Sequence, residues 1–263
     1  MKHRTENDYY TMWTEIINRM DENGIDIQEK PMLVLDFEKA ASNAFKTQFP
    51  DGVVYRCHFH YSQAVIRNLK KHNLYQLYTN VNDVRLPLKQ LLALPFLPDN
   101  LVIEIFLKIK DSLPESAWSF MEYFEKTFIR GKLLRETRTE KSVYNKPLYE
   151  SCEWNVYSRF EEDLARTTNI AEAFHRKLQC CNYNGDHPTL FQLGKLLLDI
   201  NLRHCHQMMQ HTCAYNSWSS TKEAEQKECQ ARRQLEAAFP KVFSGEMALE
   251  DYLIGCGGNA FTW

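Results

Sequence analysis

Apolar positions recur at helical spacing near the start of the chain. Tyr9, Trp13, Ile16, Ile17 and Met20 stand at i, i+4, i+7, i+8 and i+11, the stripe of a helix running from Asp8 to Asn23. Asn23-Gly24 ends that helix. The period then changes. Pro31 introduces Met32-Leu33-Val34-Leu35, an unbroken apolar run that suits a strand covered on both faces, and Asp36 follows at once. Phe37, Ala40, Ala41, Ala44 and Phe45 mark one face of a short helix, and Pro50-Asp51-Gly52 turns the chain. Val53 to Cys57 reads as a second strand, with a helix behind it on Tyr61, Val65 and Leu69. Strand, helix, strand and helix in so short a span predict a parallel β-α-β unit with a right-handed crossover.

No further strand is expected. From Leu74 to about Glu140 the pattern is helical, with segments starting near Val84, Asp99 and Glu115. Lys132 to Lys146 is charged and irregular, the signature of an exposed loop. A fresh helix starts near Asn169, and a long one runs from about Pro188 past Met209. A charged helix over Thr221 to Ala238 and a short one near Glu246 precede Gly255-Cys256-Gly257-Gly258, read as a frayed tail. Together these elements predict a mostly helical α/β protein. Its expected segments are 1–78, 79–150, 151–215 and 216–263.

Composition narrows the class. At 263 residues, 44% hydrophobic and 25% charged, the chain suits one large or two small globular domains with a core that needs no disulfides. Net charge is −2, so contact with nucleic acid would have to come from a local patch. The most apolar stretch, Leu86 to Ile109, is interrupted by Pro87, Pro95, Pro98, Asp99 and Glu104, and no membrane span is expected. Eight scattered cysteines, two of them adjacent at Cys180-Cys181, read as reduced thiols.

Four groups of residues have the character of a site. Asp36 sits at the carboxyl end of the first strand, where open α/β sheets place metal and substrate, although it could equally cap the next helix. Cys57 and His60 have the C-x-x-H spacing of a zinc chelate. Zinc needs further ligands, for which His204-Cys205-His206 is a poor source because consecutive helix residues point apart. The sequence therefore favours a buried thiol and an orienting histidine over zinc. Asn169 as N-cap would put Glu172 at the third helical position, a capping box, with Ile170, Phe174 and Leu178 as the buried stripe. On the neighbouring face Glu172 joins His175 and Arg176, an arrangement suited to metal and phosphate or simply to an ion pair. Finally, Arg130, Lys132, Arg135, Arg138 and Lys141 form a basic run that could meet phosphate, and Trp154 could stack on an unpaired base or belong to the core.

Taken in order, several segments resemble the catalytic domain of Mutator-like element (MULE) transposases. They are Leu35-Asp36-Phe37-Glu38-Lys39-Ala40-Ala41; Cys57-His58-Phe59-His60 with Gln63 and Arg67; Leu92-Ala93-Leu94-Pro95-Phe96-Leu97-Pro98; Trp154-Asn155-Val156-Tyr157; and Arg166-Thr167-Thr168-Asn169 with Glu172, Phe174 and His175. The resemblance covers about residues 5 to 210 and rests on the ordered set, no single segment being specific. It implies an RNase H-like core interrupted by an all-helical insertion, and the nucleotidyl-transfer chemistry of a DDE enzyme. Asp36 then matches the second acid of the triad, Glu172 the glutamate, and Cys57 and His60 the C-x-x-H pair. Mg²⁺ or Mn²⁺ would be the cofactor, held in pairs by hard carboxylate oxygens. DNA would be the partner, a homo-oligomer is possible, and the location would be nuclear.

The family's domain opens on a three-stranded meander whose first strand carries the first aspartate. Here the first predicted helix begins almost directly after Met1, and Glu6 and Asp8 lie at a helix start. The resulting expectation is an incomplete RNase H-like core with an open sheet edge, and a transposon-derived protein without transfer activity as given. The alternatives are an active fragment of a transposase and a helical interaction module.

Overall fold

A computed structural model describes residues 5–27, 30–136, 142–162, 164–180, 189–213, 241 and 251–252. The expected helix over Thr221 to Ala238, the helix start near Glu246, the glycine-rich tail and the side chains of His204, Cys205 and His206 lie outside the described residues. The chain divides into two compact units, Met1–Thr167 with Arg232–Trp263, and Thr168–Ala231. It is a mostly helical α/β protein.

The first unit opens on α1 (Glu6–Glu22), fixed by a capping box in which the Thr5 hydroxyl accepts from the Asp8 amide and the Asp8 carboxylate accepts from the Thr5 amide. Its apolar stripe is only half-buried. Trp13 stands edge-on to Phe45 and Phe49, with ring centroids 5.3 and 5.7 Å away. β1 (Met32–Leu35) leads through Asp36 to α2 (Lys39–Gln48), and β2 (Val53–Arg56) runs into α3 (His58–Lys71). β1 and β2 pair in parallel, Met32 opposite Val53 and Leu35 opposite Arg56, as the period change predicts. The ladder runs one step further, the Cys57 amide donating to the Leu35 carbonyl at 2.9 Å.

Among the described residues of this unit, α4 (Tyr75–Asn80), α5 (Asn82–Ala93), α6 (Asp99–Ser112), α7 (Trp118–Phe124), α8 (Ser151–Trp154) and α9 (Tyr157–Glu161) follow. Their apolar faces and that of α3 share one core, which includes Tyr61, Val65 and Leu69 of α3, Leu88 and Leu92 of α5, Phe106 of α6, Phe120 and Phe124 of α7, and Trp154. The expected boundaries at residues 78 and 150 are thus crossed by continuous packing. Tyr252 reaches the same core, its hydroxyl donating to the Phe96 carbonyl.

The expectation that strands end at Cys57 is corrected. Within the segment read as a loop, β3 (Leu133–Glu136) and β4 (Ser142–Tyr144) form an antiparallel pair following a π-helical turn, Glu125–Ile129. Gly131 enters this hairpin with φ +77°, a conformation that glycine adopts freely.

Among its described residues the second unit contains α10 (Asn169–Cys180) and α11 (Leu190–Cys213), matching the helix expected from Asn169 and the long one expected from about Pro188. Phe174, predicted to lie in a buried stripe, is instead 46% exposed. Among the described residues no helix is long and apolar enough to cross a membrane.

Candidate metal centre

Parallel pairing carries the residues that follow β1 and β2 to the same edge of the sheet. Asp36 follows β1. Cys57 follows β2 in extended conformation as the N-cap of α3, and His60 lies in the first turn of that helix. Asp36 Oδ1 and His60 Nδ1 are 2.8 Å apart. One donor atom from each of Asp36, Cys57 and His60 lies within 4.8 Å of the other two. Cys57 is completely buried, whereas the Asp36 and His60 side chains are 53% and 25% exposed. The cluster is therefore anchored on its sulfur side and open on its carboxylate side.

The possibility that Asp36 caps the following helix does not hold. α2 starts three residues after it, with Glu38 as N-cap and no side-chain capping bond. The Asp36 carboxylate faces His60 instead.

Its position is fixed from beneath by Arg56, a residue the sequence did not single out. Buried at 2% side-chain exposure, Arg56 donates through Nη1 to the Asp36 carbonyl at 2.8 Å, through Nη2 to the Ser42 hydroxyl at 2.9 Å and through Nε to Glu153 at 2.9 Å. Glu153 also accepts from Lys46 at 2.9 Å. Burial alone would raise the Glu153 carboxyl, but the Lys46 and Arg56 contacts outweigh it and hold the group below its ordinary value. Arg159, also buried, donates to the carbonyls of Arg56 and Glu153 and closes the outer side of β2. A strand arginine preceding the C-x-x-H segment was the only sequence signal for this support.

His58, the first residue of α3, packs against Phe96 with ring centroids 4.8 Å apart, and its amide donates to the Arg166 carbonyl at 3.0 Å. Burial, reinforced by the positive charges of Arg159 and Arg166, pushes its imidazole down to about 3. It is a neutral packing residue.

Glu172 belongs to the second unit, and Asp36 to the first. Within its own unit Glu172 accepts a hydrogen bond from the Thr168 hydroxyl at 3.2 Å and donates its amide to the Thr168 carbonyl at 3.0 Å. Asn169, expected as the N-cap, is the first residue inside α10, and the contacts to Glu172 come instead from Thr168, one residue earlier.

The proposed DNA-contact residues divide. Trp154 is fully buried, stacked on Tyr61 at 5.4 Å, with its indole nitrogen donating to the Tyr149 carbonyl. The idea that it stacks on an unpaired base is therefore withdrawn, because its faces are filled by core rings. Arg130 is paired with Glu125 and laid over the Tyr144 ring, 4.3 Å from its centre. Lys132 and Arg135 are exposed on the hairpin. Arg138 lies outside the described residues.

The chemistry of the donors decides what the cluster can hold. Magnesium requires near-octahedral oxygen ligation. Among the described residues, the donors grouped with Asp36 are the Cys57 sulfur and the His60 imidazole nitrogen, a pair that suits a borderline cation better than Mg²⁺. Thiol nucleophilic catalysis is equally excluded at Cys57, whose side chain is inaccessible. Comparison with known proteins adds no relative: no family model, curated protein or solved structure matches the chain.

Proposed function

We propose that the chain is a transposon-derived protein descended from the catalytic domain of a MULE transposase. In this reading residues 1–78 and 151–215 belong to an RNase H-like core with a helical insertion at 79–150, and the chain associates with DNA in the nucleus without strand-transfer activity of its own. One observation carries the reading: the segments that bear the resemblance, far apart in sequence, are bonded to one another. Asp36 lies against His60, and the Cys57 amide donates to the Leu35 carbonyl. The His58 amide donates to the Arg166 carbonyl. Val156 N donates to the Pro95 carbonyl at 2.8 Å, and the Asn155 side chain to that of Leu97 at 2.7 Å. An ancestral catalytic framework predicts such mutual packing.

The reading without transfer chemistry is supported by the sulfur and nitrogen donors grouped with Asp36, which suit hard cations poorly. Lys132 and Arg135, both exposed at the hairpin, are the phosphate-contacting candidates that remain among the described residues. The test incubates the purified chain with supercoiled plasmid and Mg²⁺ or Mn²⁺, and measures duplex binding across a salt series. Uncut plasmid with salt-sensitive binding is expected. Nicking that vanishes in both Asp36→Asn and Glu172→Gln would mark an active transposase fragment. No duplex binding even at low salt would leave a helical interaction module.

A further inference from the structure

Asp36, Cys57 and His60 bring oxygen, sulfur and nitrogen donors from the ends of two strands and the first turn of a helix to one point. We propose that this cluster is a binding site for a borderline divalent cation of the Zn²⁺ class, with three protein ligands and a fourth position open to solvent. The inference rests on the geometry at Asp36 alone and stands or falls independently of the transposase ancestry.

The C-x-x-H pair by itself is two ligands short of a tetrahedral site. Parallel pairing of β1 and β2 supplies the third, because it sets Asp36 beside Cys57. Zinc bonds of ~2.0–2.3 Å place two ligand atoms on a tetrahedral ion ~3.5 Å apart. The donor atoms already lie within 4.8 Å of one another, and the Asp36–His60 pair, at 2.8 Å, is closer than an ion requires. Adjustments of about an ångström therefore separate this arrangement from a ligated one. They fall on the exposed Asp36 and the partly buried His60. The Asp36 carboxylate and the His60 ring can swing toward an incoming ion, while Cys57 is held by the ladder bond between its amide and the Leu35 carbonyl.

The main chain of Asp36 is braced as well, by the bond its carbonyl accepts from Arg56. Such support of the backbone keeps a ligand in place while its side chain reorients. Three ligands and an open position are the composition of zinc sites that retain a water. The half-exposed Asp36 side chain leaves the fourth position facing solvent on its side of the cluster.

Co²⁺ is the probe, because its thiolate complexes absorb where the apoprotein does not. Titrating the full chain, kept reduced, should give a thiolate-to-cobalt charge-transfer band at one equivalent. Zn²⁺ should abolish the band, and roughly a hundredfold excess of Mg²⁺ should leave it. Cys57→Ser should remove it. Asp36→Asn and His60→Gln should each weaken Co²⁺ binding by about tenfold or more, while replacement of both Cys180 and Cys181 by serine leaves it intact. Zn²⁺ should also raise the thermal midpoint of the wild-type chain but not that of Asp36→Asn. No band, a band that survives in Cys57→Ser, or an affinity unchanged in Asp36→Asn would each overturn the proposal. Should Cys57→Ser fail to fold, Asp36→Asn decides, since its altered group is half-exposed and nearly unchanged in shape.

Discussion

Arg56 donates to the carbonyl oxygen of Asp36 at 2.8 Å while its Nε holds the carboxylate of Glu153 at 2.9 Å. One buried guanidinium thus joins the end of β1 to α8, a residue pair 97 positions apart in sequence. Removing Glu153 strands the buried Arg56 guanidinium, and removing Arg56 leaves Glu153 with the half-exposed Lys46 as its ion-pair partner. Arg56→Met should therefore destabilise the chain by about 3–5 kcal/mol, read from denaturant midpoints. Replacing both partners by apolar residues of matching volume should recover much of that loss, because no uncompensated charge remains. A double replacement as damaging as the sum of its parts would show that the two residues act separately.

Trp154 gives a second measure of the same region. Its ring fills the core against Tyr61 and Phe128, and its indole nitrogen serves the Tyr149 carbonyl. Trp154→Ala should cost about 3–5 kcal/mol by opening a cavity. Trp154→Phe should cost less, retaining most of the volume and losing the hydrogen bond. If duplex binding depended on this ring, Trp154→Phe would weaken it while leaving stability near wild type. The packing predicts the reverse.

The contrast between β1 and β3 explains which parts of the fold were legible in sequence. Met32 to Leu35 are uniformly apolar and bounded by Pro31 and Asp36, so the run announces a strand. Leu133-Leu134-Arg135-Glu136 and Ser142-Val143-Tyr144 show no clean alternation, because the hairpin they form lies on the surface, with Leu133 and Leu134 exposed. Its signal was a pairing between segments, which no local window contains. The candidate site divides in the same way. Spacing alone identified Cys57 with His60, and position alone identified Asp36. Their meeting depends on strand register, and Arg56 acts through a carbonyl contact that no motif records.

The hairpin has its own test in Gly131. At φ +77° a side chain is strained, and a Cβ there would run into the Asn145 backbone and side-chain oxygens. The collision is partly with main chain, so a rotamer change cannot relieve it. Gly131→Ala should therefore destabilise the hairpin by more than the roughly 1 kcal/mol expected from backbone conformation alone. Protection of the β3 and β4 amides from hydrogen exchange should fall, with that of α3 unchanged.

Acid should unfold this chain earlier than its carboxylates alone require, and His58 is the reason. Its imidazole, buried and faced by the Arg159 and Arg166 charges, has a folded value of about 3 against an ordinary 6.5. The unfolded chain binds a proton that the folded chain refuses, so stability is complete above about pH 6.5 and declines as pH falls toward 3. By about pH 5 the loss reaches roughly 2 kcal/mol from this group. Glu125 adds to it in the same direction. Burial would raise its carboxyl, but hydrogen bonds from Lys110 and Arg130 override burial and hold it below its ordinary value. A carboxylate with a depressed folded value stabilises above the ordinary carboxylate range and loses that contribution as pH falls through the folded value. The two groups act in separable windows, the histidine between neutrality and mild acid and Glu125 at lower pH. His58→Phe should flatten the stability profile from pH ~6.5 to ~5 and leave the steeper acid limb in place. A variant profile parallel to wild type through the upper window would mean that the imidazole takes up its proton without leaving the core.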